Sequence, residues 1–167
     1  EGAEDSFIRT LSQMQDDLRR DYVTGAYNAV YLNEQYRPIA ERAAMSGTPV
    51  GVVMVRVNEY WQLREHESDS AANCCLNMAA GILQLAVGPD HDKAVLARLN
   101  DGFFAIVTIG TPAARMAQTV RESMNDSRRE FNISLSRRGS FTVEIASAEW
   151  GETASWDMTL SLAQQRL

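Results

Sequence analysis

The sequence predicts an α+β sandwich around a central, mainly antiparallel sheet. A hairpin signal occupies the middle of the chain: residues 95–99 and 103–109 are nearly continuous apolar runs, and Asn100-Asp101-Gly102 between them suits a tight reversal. Both arms are apolar along their length, so the hairpin is expected in mid-sheet, covered on at least one face. The order of elements is helix, helix, strand, helix, hairpin, helix, hairpin, helix, which departs from the strict alternation of a doubly wound parallel sheet.

The elements follow in order. Residues 6–20 read as a helix with Phe7, Leu11, Met14 and Leu18 spaced four, three and four, a heptad seam between charged sides. Such a seam fits either a helix lying on its own domain or the end of a longer dimeric coiled coil. Gly25 can end this helix, and Thr24 and Asn28 are capping or turn residues. A second helix is expected over residues 29–44, kinked at Pro38. The β-branched run 50–57 reads as a central strand carrying one charge, Arg56, near its end, where a lone arginine ordinarily reaches solvent. Residues 58–70 are polar with scattered aromatics, a turn or short helix. From residue 70 to 87 the apolar positions keep a 3.6-residue period until Gly88-Pro89 stops it. After the central hairpin, Thr111-Pro112 opens a helix with Ala113, Met116, Ala117, Val120 and Met124 inward. Residues 131–136 and 141–146 alternate around Arg137-Arg138-Gly139-Ser140, predicting a second hairpin, and residues 154–165 close the chain as an amphipathic helix.

The bulk properties bound the function. The chain has 167 residues, enough for one domain with a proper core. A net charge of −6 makes nucleic acid and anionic membrane poor partners, and no apolar run long enough to span a bilayer is expected. The chain opens on Glu1 without a signal-peptide pattern, as expected of a piece of a longer protein or of a chain that has lost a tag. Its two cysteines, Cys74 and Cys75, are adjacent, and neighbours on a helix point too far apart for a bridge; both are expected reduced and buried, in a cytoplasmic setting. His66 with Glu65, Glu67 and Asp69, and His91 with Asp90 and Asp92, are metal-ligand types without a ligand spacing, so both read as solvated surface. Trp150 and Trp156 read as packing residues. No Ser-His-Asp arrangement or Gly-rich phosphate loop is present.

Two motifs then resemble a known family. Asp21-x-x-Thr24-Gly25-x-x-Asn28 is similar to the Asp-x-Leu-Thr-Gly-Leu-x-Asn entry signature of GGDEF domains, the diguanylate cyclase fold. Residues 55–60 lie where those domains carry a strand ending Asp-x-Asp-x-Phe, and residues 97–105 where they carry Arg-Tyr-Gly-Gly-Asp-Glu-Phe. The resemblance spans residues 21–166. It implies a βαββαβ core like that of class III nucleotide cyclases, with residues 1–20 as a signalling helix from an upstream sensor and residues 21–167 as the domain.

The resemblance also implies lost chemistry. The family's first metal-binding aspartate falls on Arg56, the second aspartate of that strand on Asn58, and the following Phe on Tyr60. The asparagine and aspartate that read the guanine edge fall on Arg64 and Asn73. In the signature turn Asn100 and Asp101 replace the glycines, and Gly102 and Phe103 replace the acids; Arg98 and Phe104 are kept. A register slipped by one would place Asp101 on one acid and Phe103 on the last position. The Arg-x-x-Asp inhibitory motif would run from His91 to Ala94 and is missing, and the phosphate-contacting lysine of the last helix becomes Gln164, although Asp157 and Leu160 match. Joining two GTP molecules in this family needs Mg²⁺ on hard oxygen ligands. A guanidinium about 4 Å away would repel a divalent ion by about 8 kcal/mol at an effective dielectric near 20, less if it swings aside.

The expectation is therefore a catalytically inactive signalling module, with no catalytic residue, no metal and no cofactor, acting as a homodimer through the leading helix or through partner contacts. The alternative is a metal-independent nucleotide receptor for GTP or cyclic di-GMP, using Arg56, Arg64 and Asn73. An internal ion pair between Arg56 and Asp101 is expected where the metal would sit.

Overall fold

The computed structural model describes residues 2–134 and 141–167, with backbone alone at 16 and 128–134. Helix α1 (Gly2–Arg19) carries the predicted seam, and Phe7, Leu11, Met14 and Leu18 are all exposed on it. Asn28 closes its end by donating from Nδ2 to the Leu18 carbonyl at 2.7 Å. A two-residue strand β1 (Tyr27–Asn28) follows, and Asn28 also caps α2 (Ala29–Tyr31). The expected kink is a π-helical turn at Leu32–Tyr36 rather than a break at the proline, which instead sits in the first turn of α3 (Arg37–Met45), where its missing N–H costs nothing.

The core is the predicted antiparallel sheet. β2 (Val50–Val57) lies between β4 (Phe103–Ile109) and β5 (Val143–Glu149), and β3 (Ala94–Asn100) joins β4 to β1, giving the order β1-β3-β4-β2-β5. All pairs are antiparallel except β1 with β3. Helices cover both faces. Val53, Val55 and Val57 of β2 pack toward α5 (Asp69–Val87) and α6 (Ala113–Ser134), against Leu76, Ala79 and Val120. Val52 and Met54 point the other way, toward Leu32, Tyr36 and Ala40, and toward Trp156 of α7 (Trp156–Gln165). Burial on both faces is why β2 reads as an unbroken apolar run rather than an alternating one. A short helix α4 (Tyr60–His66) leads from β2 to α5.

Three expectations are corrected. The second hairpin does not form: residues 131–134 belong to α6, because no glycine or proline interrupts Ala113–Ser134 and its helical period runs on, while β5 finds its partner in β2. The proposed turn at 137–140 lies outside the described residues. Cys74 is exposed, and only Cys75 is buried, since the two point to different sides of α5. Finally, Asp69–Val87 is long and apolar enough to cross a membrane by length and composition, although it covers the sheet with Ala72, Leu76, Ala79 and Leu83 fully buried.

Candidate functional site

The central hairpin turns in two residues, not three. Asn100 pairs with Phe103 across the ladder, Leu99 is bulged out of register, and only Asp101 and Gly102 form the loop. Asp101 takes the left-handed backbone conformation (φ +46°), which a short polar residue tolerates better than most. Gly102 is needed for space: a Cβ there would lie 2.9 Å from the Tyr60 Cβ and 3.1 Å from the Val57 carbonyl oxygen. The Val57 N–H donates to the Gly102 carbonyl at 2.9 Å, so the turn is fastened to the end of β2.

The entry loop holds this turn from the other side. Asp21 accepts from the Thr24 N–H (3.0 Å) and hydroxyl (2.7 Å), while its carbonyl receives the Gly25 N–H at 2.8 Å, with Gly25 at φ +76°. Arg98 donates from Nη1 to both Asp21 carboxylate oxygens (3.2 and 3.4 Å) and from Nε to the Asp101 carbonyl (3.1 Å). One partly buried guanidinium therefore connects the segment leaving α1 to the signature turn.

The other predicted site residues are not gathered into one place. Arg56 does not meet Asp101. It lies opposite Glu144 in the β2–β5 ladder and is ion-paired to it, while Asp101 is paired with Arg64 on α4 at 3.3 Å. The cause is register: a side chain on a strand faces its ladder neighbours, and β5 supplies a carboxylate beside Arg56. Asn58 donates from Nδ2 to the Thr142 hydroxyl at 3.0 Å, and Glu59 accepts from the Thr142 N–H and hydroxyl, so this strand end is tied to β5 as well. Phe103 packs edge-on against Trp61 at 5.6 Å, and Trp61 against Tyr60 at 5.5 Å. Arg64, Asn73 and Arg98 do come together. With Tyr22, Tyr60 and Asp69 they line a polar cleft of about 490 Å³ beside the turn. The Tyr60 hydroxyl and then Asp101 raise the Arg64 guanidinium above its ordinary range, keeping it charged.

Of the remaining candidates, His66 and its acidic neighbours are exposed, as is Gln164. His91 meets the Tyr27 hydroxyl at 2.9 Å, and Asp157 faces Arg37 at 3.8 Å. Trp156 is buried and bonds Asn33. Sequence reasoning missed Glu144 and Glu59, and grouped Asp69 with His66 and not with the cleft it lines. The first two required the place of β5 in the sheet; Asp69 was legible as the residue one helical turn before Asn73.

A βαββαβ sheet with its cleft beside the central turn defines a domain of the nucleotide-cyclase fold. A family model described as "Diguanylate cyclase, GGDEF domain" matches residues 18–167, and the chain belongs to that family. Solved structures agree on the fold. The coiled coil and GGDEF domain of DgcB from Caulobacter crescentus, in complex with c-di-GMP, superposes with a TM-score of 0.82 at 19% identity, over 98% of this chain and 86% of that one. The FimX GGDEF domain from Pseudomonas aeruginosa gives 0.72 at 21% identity, covering 89% and 90%. The S helix-GGDEF-EAL portion of Vibrio cholerae LapD, bound to c-di-GMP, gives 0.74 at 15% identity, covering 96% of this chain and 36% of that one.

Proposed function

We propose that this domain is a catalytically inactive GGDEF module that passes a signal through dimerisation or partner contacts. One observation carries the reading: where the family's metal chemistry needs carboxylates, this chain has Arg56, held by Glu144, and a turn of Asn100, Asp101, Gly102 and Phe103. These groups do not fit Mg²⁺. A guanidinium offers no lone pair, the Asn58 amide is committed to Thr142, and Phe103 is apolar. Among the described residues no three His, Cys, Asp or Glu side chains converge as a metal site requires.

The signalling part of the proposal rests on α1. Its exposed Phe7, Leu11, Met14 and Leu18 make two heptads of core positions for a parallel partner helix, and Ile8 widens the same face. The next core position in that register is Asp21, whose carboxylate is committed to Arg98. The seam therefore stops where the domain begins, with residues 1–20 as the linker helix and 21–167 as the domain. From there the path runs through Arg98 to the turn.

The test is direct. Purified protein incubated with GTP and Mg²⁺ is expected to yield no cyclic di-GMP, and light scattering is expected to give a dimer that Leu11→Asp with Leu18→Asp converts to monomer. Cyclic di-GMP production would end the inactive reading; a monomeric parent protein would end the dimer reading.

A second reading, a metal-independent nucleotide receptor, is favoured by the cleft that keeps Arg64 and Asn73. Arg56 contributes nothing to it, since its guanidinium faces β5. Calorimetric titration with GTP and with cyclic di-GMP, both without metal, tests this reading.

A further inference from the structure

The sheet ends in two unlike edges. β1 is two residues long and offers little to pair with, whereas β5 runs for seven residues and pairs only with β2. Which of its backbone groups face outward follows from the ladders. The Val57 N–H reaches the Gly102 carbonyl, so Val57, Val55 and Val53 turn their hydrogen-bonding groups toward β4 and its turn. Opposite them in β5 are Val143, Ile145 and Ser147, whose N–H and C=O groups therefore point away from the sheet.

Two of these outward carbonyls are covered by arginines from different helices. Arg121 of α6 donates from Nη2 to the Ile145 carbonyl at 3.4 Å, and Arg166, just past α7, donates from Nη1 to the Ser147 carbonyl at 2.7 Å. Arg166 is anchored by an ion pair with Glu152, which also accepts from the Glu149 N–H at 3.2 Å. The Ile145 and Ser147 N–H groups have no such cover among the described residues. Free N–H groups alternating with carbonyls are a template for another strand, and cationic side chains laid along them are a common way to block one.

The edge is also complementary to itself. A two-fold axis at Ala146 sets Ile145 opposite Ser147 of the second copy, Ala146 opposite Ala146, Glu144 opposite Ala148 and Val143 opposite Glu149. Ile145 and Ser147 then exchange backbone hydrogen bonds in both directions, and no two like charges of the strand face each other. The arginines do conflict. This register brings Arg121 of each copy up to Arg166 of the other, above carbonyls that both must vacate.

We infer that the outer edge of β5 is a strand-pairing surface for the same edge of a second copy of this chain, held shut by Arg121 and Arg166. Because β1 is too short to serve, each chain has one such edge, and the pairing closes at a dimer instead of growing into a fibre. It uses none of the residues of the α1 seam, so it stands apart from the dimer proposed above.

The test removes the two arginines in a chain whose α1 seam is already blocked by Leu11→Asp with Leu18→Asp. Arg121→Ala with Arg166→Ala is expected to give a dimer by sedimentation at about 0.5 mM, and to slow amide exchange at Ile145 and Ser147 at least about tenfold relative to dilute protein. The same chain with both arginines is expected to exchange these amides equally fast at either concentration. Adding Ser147→Pro to the arginine-free chain is expected to restore the monomer with an unchanged circular dichroism spectrum, since the Ser147 N–H takes no part in the β2–β5 ladder. An arginine-free chain without concentration-dependent protection at Ile145 and Ser147 overturns the inference, whatever its mass. Equal protection with the arginines in place also overturns it, as does protection of Ile145 that survives Ser147→Pro. The exchange comparison stands without the proline variant.

Discussion

Arg98 and Arg56 lie two strands apart in one sheet, each with a single carboxylate partner, and their surroundings differ. Arg98 and Asp21 are 13% and 14% exposed and close a network that runs from the entry loop to the turn. Arg56 and Glu144 are 32% and 43% exposed and close only the ladder between β2 and β5. A buried pair cannot lose one partner without stranding the other in a poorly solvating site, whereas an exposed pair loses little more than a screened attraction. The contrast teaches how unequal two ion pairs of one sheet can be: the group that fastens the turn is protected by burial, and the pair at the end of β2 lies where substitution is cheap.

The sharpest way to break this comparison is Arg98→Ala. It leaves the Asp21 carboxylate with its Thr24 contacts but without a cation, and a loss of about 3 kcal/mol in urea unfolding is expected. A loss under about 1 kcal/mol would make the entry clamp decorative. Gly102→Ala comes next. The new Cβ meets the Tyr60 Cβ and the Val57 carbonyl, so the turn or α4 must shift, at an expected cost of about 1–3 kcal/mol by the same measurement.

The two thiols on α5 sharpen the contrast by chemistry instead of mutation. Burial pushes the Cys75 thiol up from its ordinary range to about 11, while Cys74 is exposed. Brief alkylation of the native protein near neutral pH is expected to give one adduct per chain, on Cys74, by mass spectrometry. Because the folded-state value is raised, the contribution of Cys75 is fully present below about 9 and is lost as pH climbs toward about 11. Stability at pH 10 should accordingly be about 1 kcal/mol lower from this group alone. The smallest effect belongs to Arg56→Ala, expected within about 1 kcal/mol of the parent. A larger loss would mean that Arg56 supports the fold as Arg98 does.

The sequence made much of this architecture legible, for physical reasons that can be named. β2 and the central hairpin are visible because strands buried on both faces must be continuously apolar, and a two-residue reversal needs residues such as Asp101 and Gly102. The end of α5 is visible because Gly88, at φ +81°, and Pro89 stop it. The failure at residues 131–134 has an equally plain cause. Phe131 and Ile133 alternate with polar residues as a strand would, but an uninterrupted helix of good period upstream carried the chain through them. At the site, the entry motif was readable because its hydrogen bonds are local, between Asp21, Thr24 and Gly25. The partner of Arg56 was not, because Glu144 is 88 residues away in sequence and becomes its neighbour only through the order of strands.

The central proposal is that the end of β2 and the turn at Asp101-Gly102 do not form a divalent-metal site. It is tested most directly by crystallising the protein with Mn²⁺ and a non-hydrolysable GTP analogue and collecting anomalous diffraction. No ordered Mn²⁺ between Val57 and residues 100–102 is predicted, with Arg56 still on Glu144. An anomalous peak there, liganded by Asp101 or by backbone oxygens of the turn, would contradict the account.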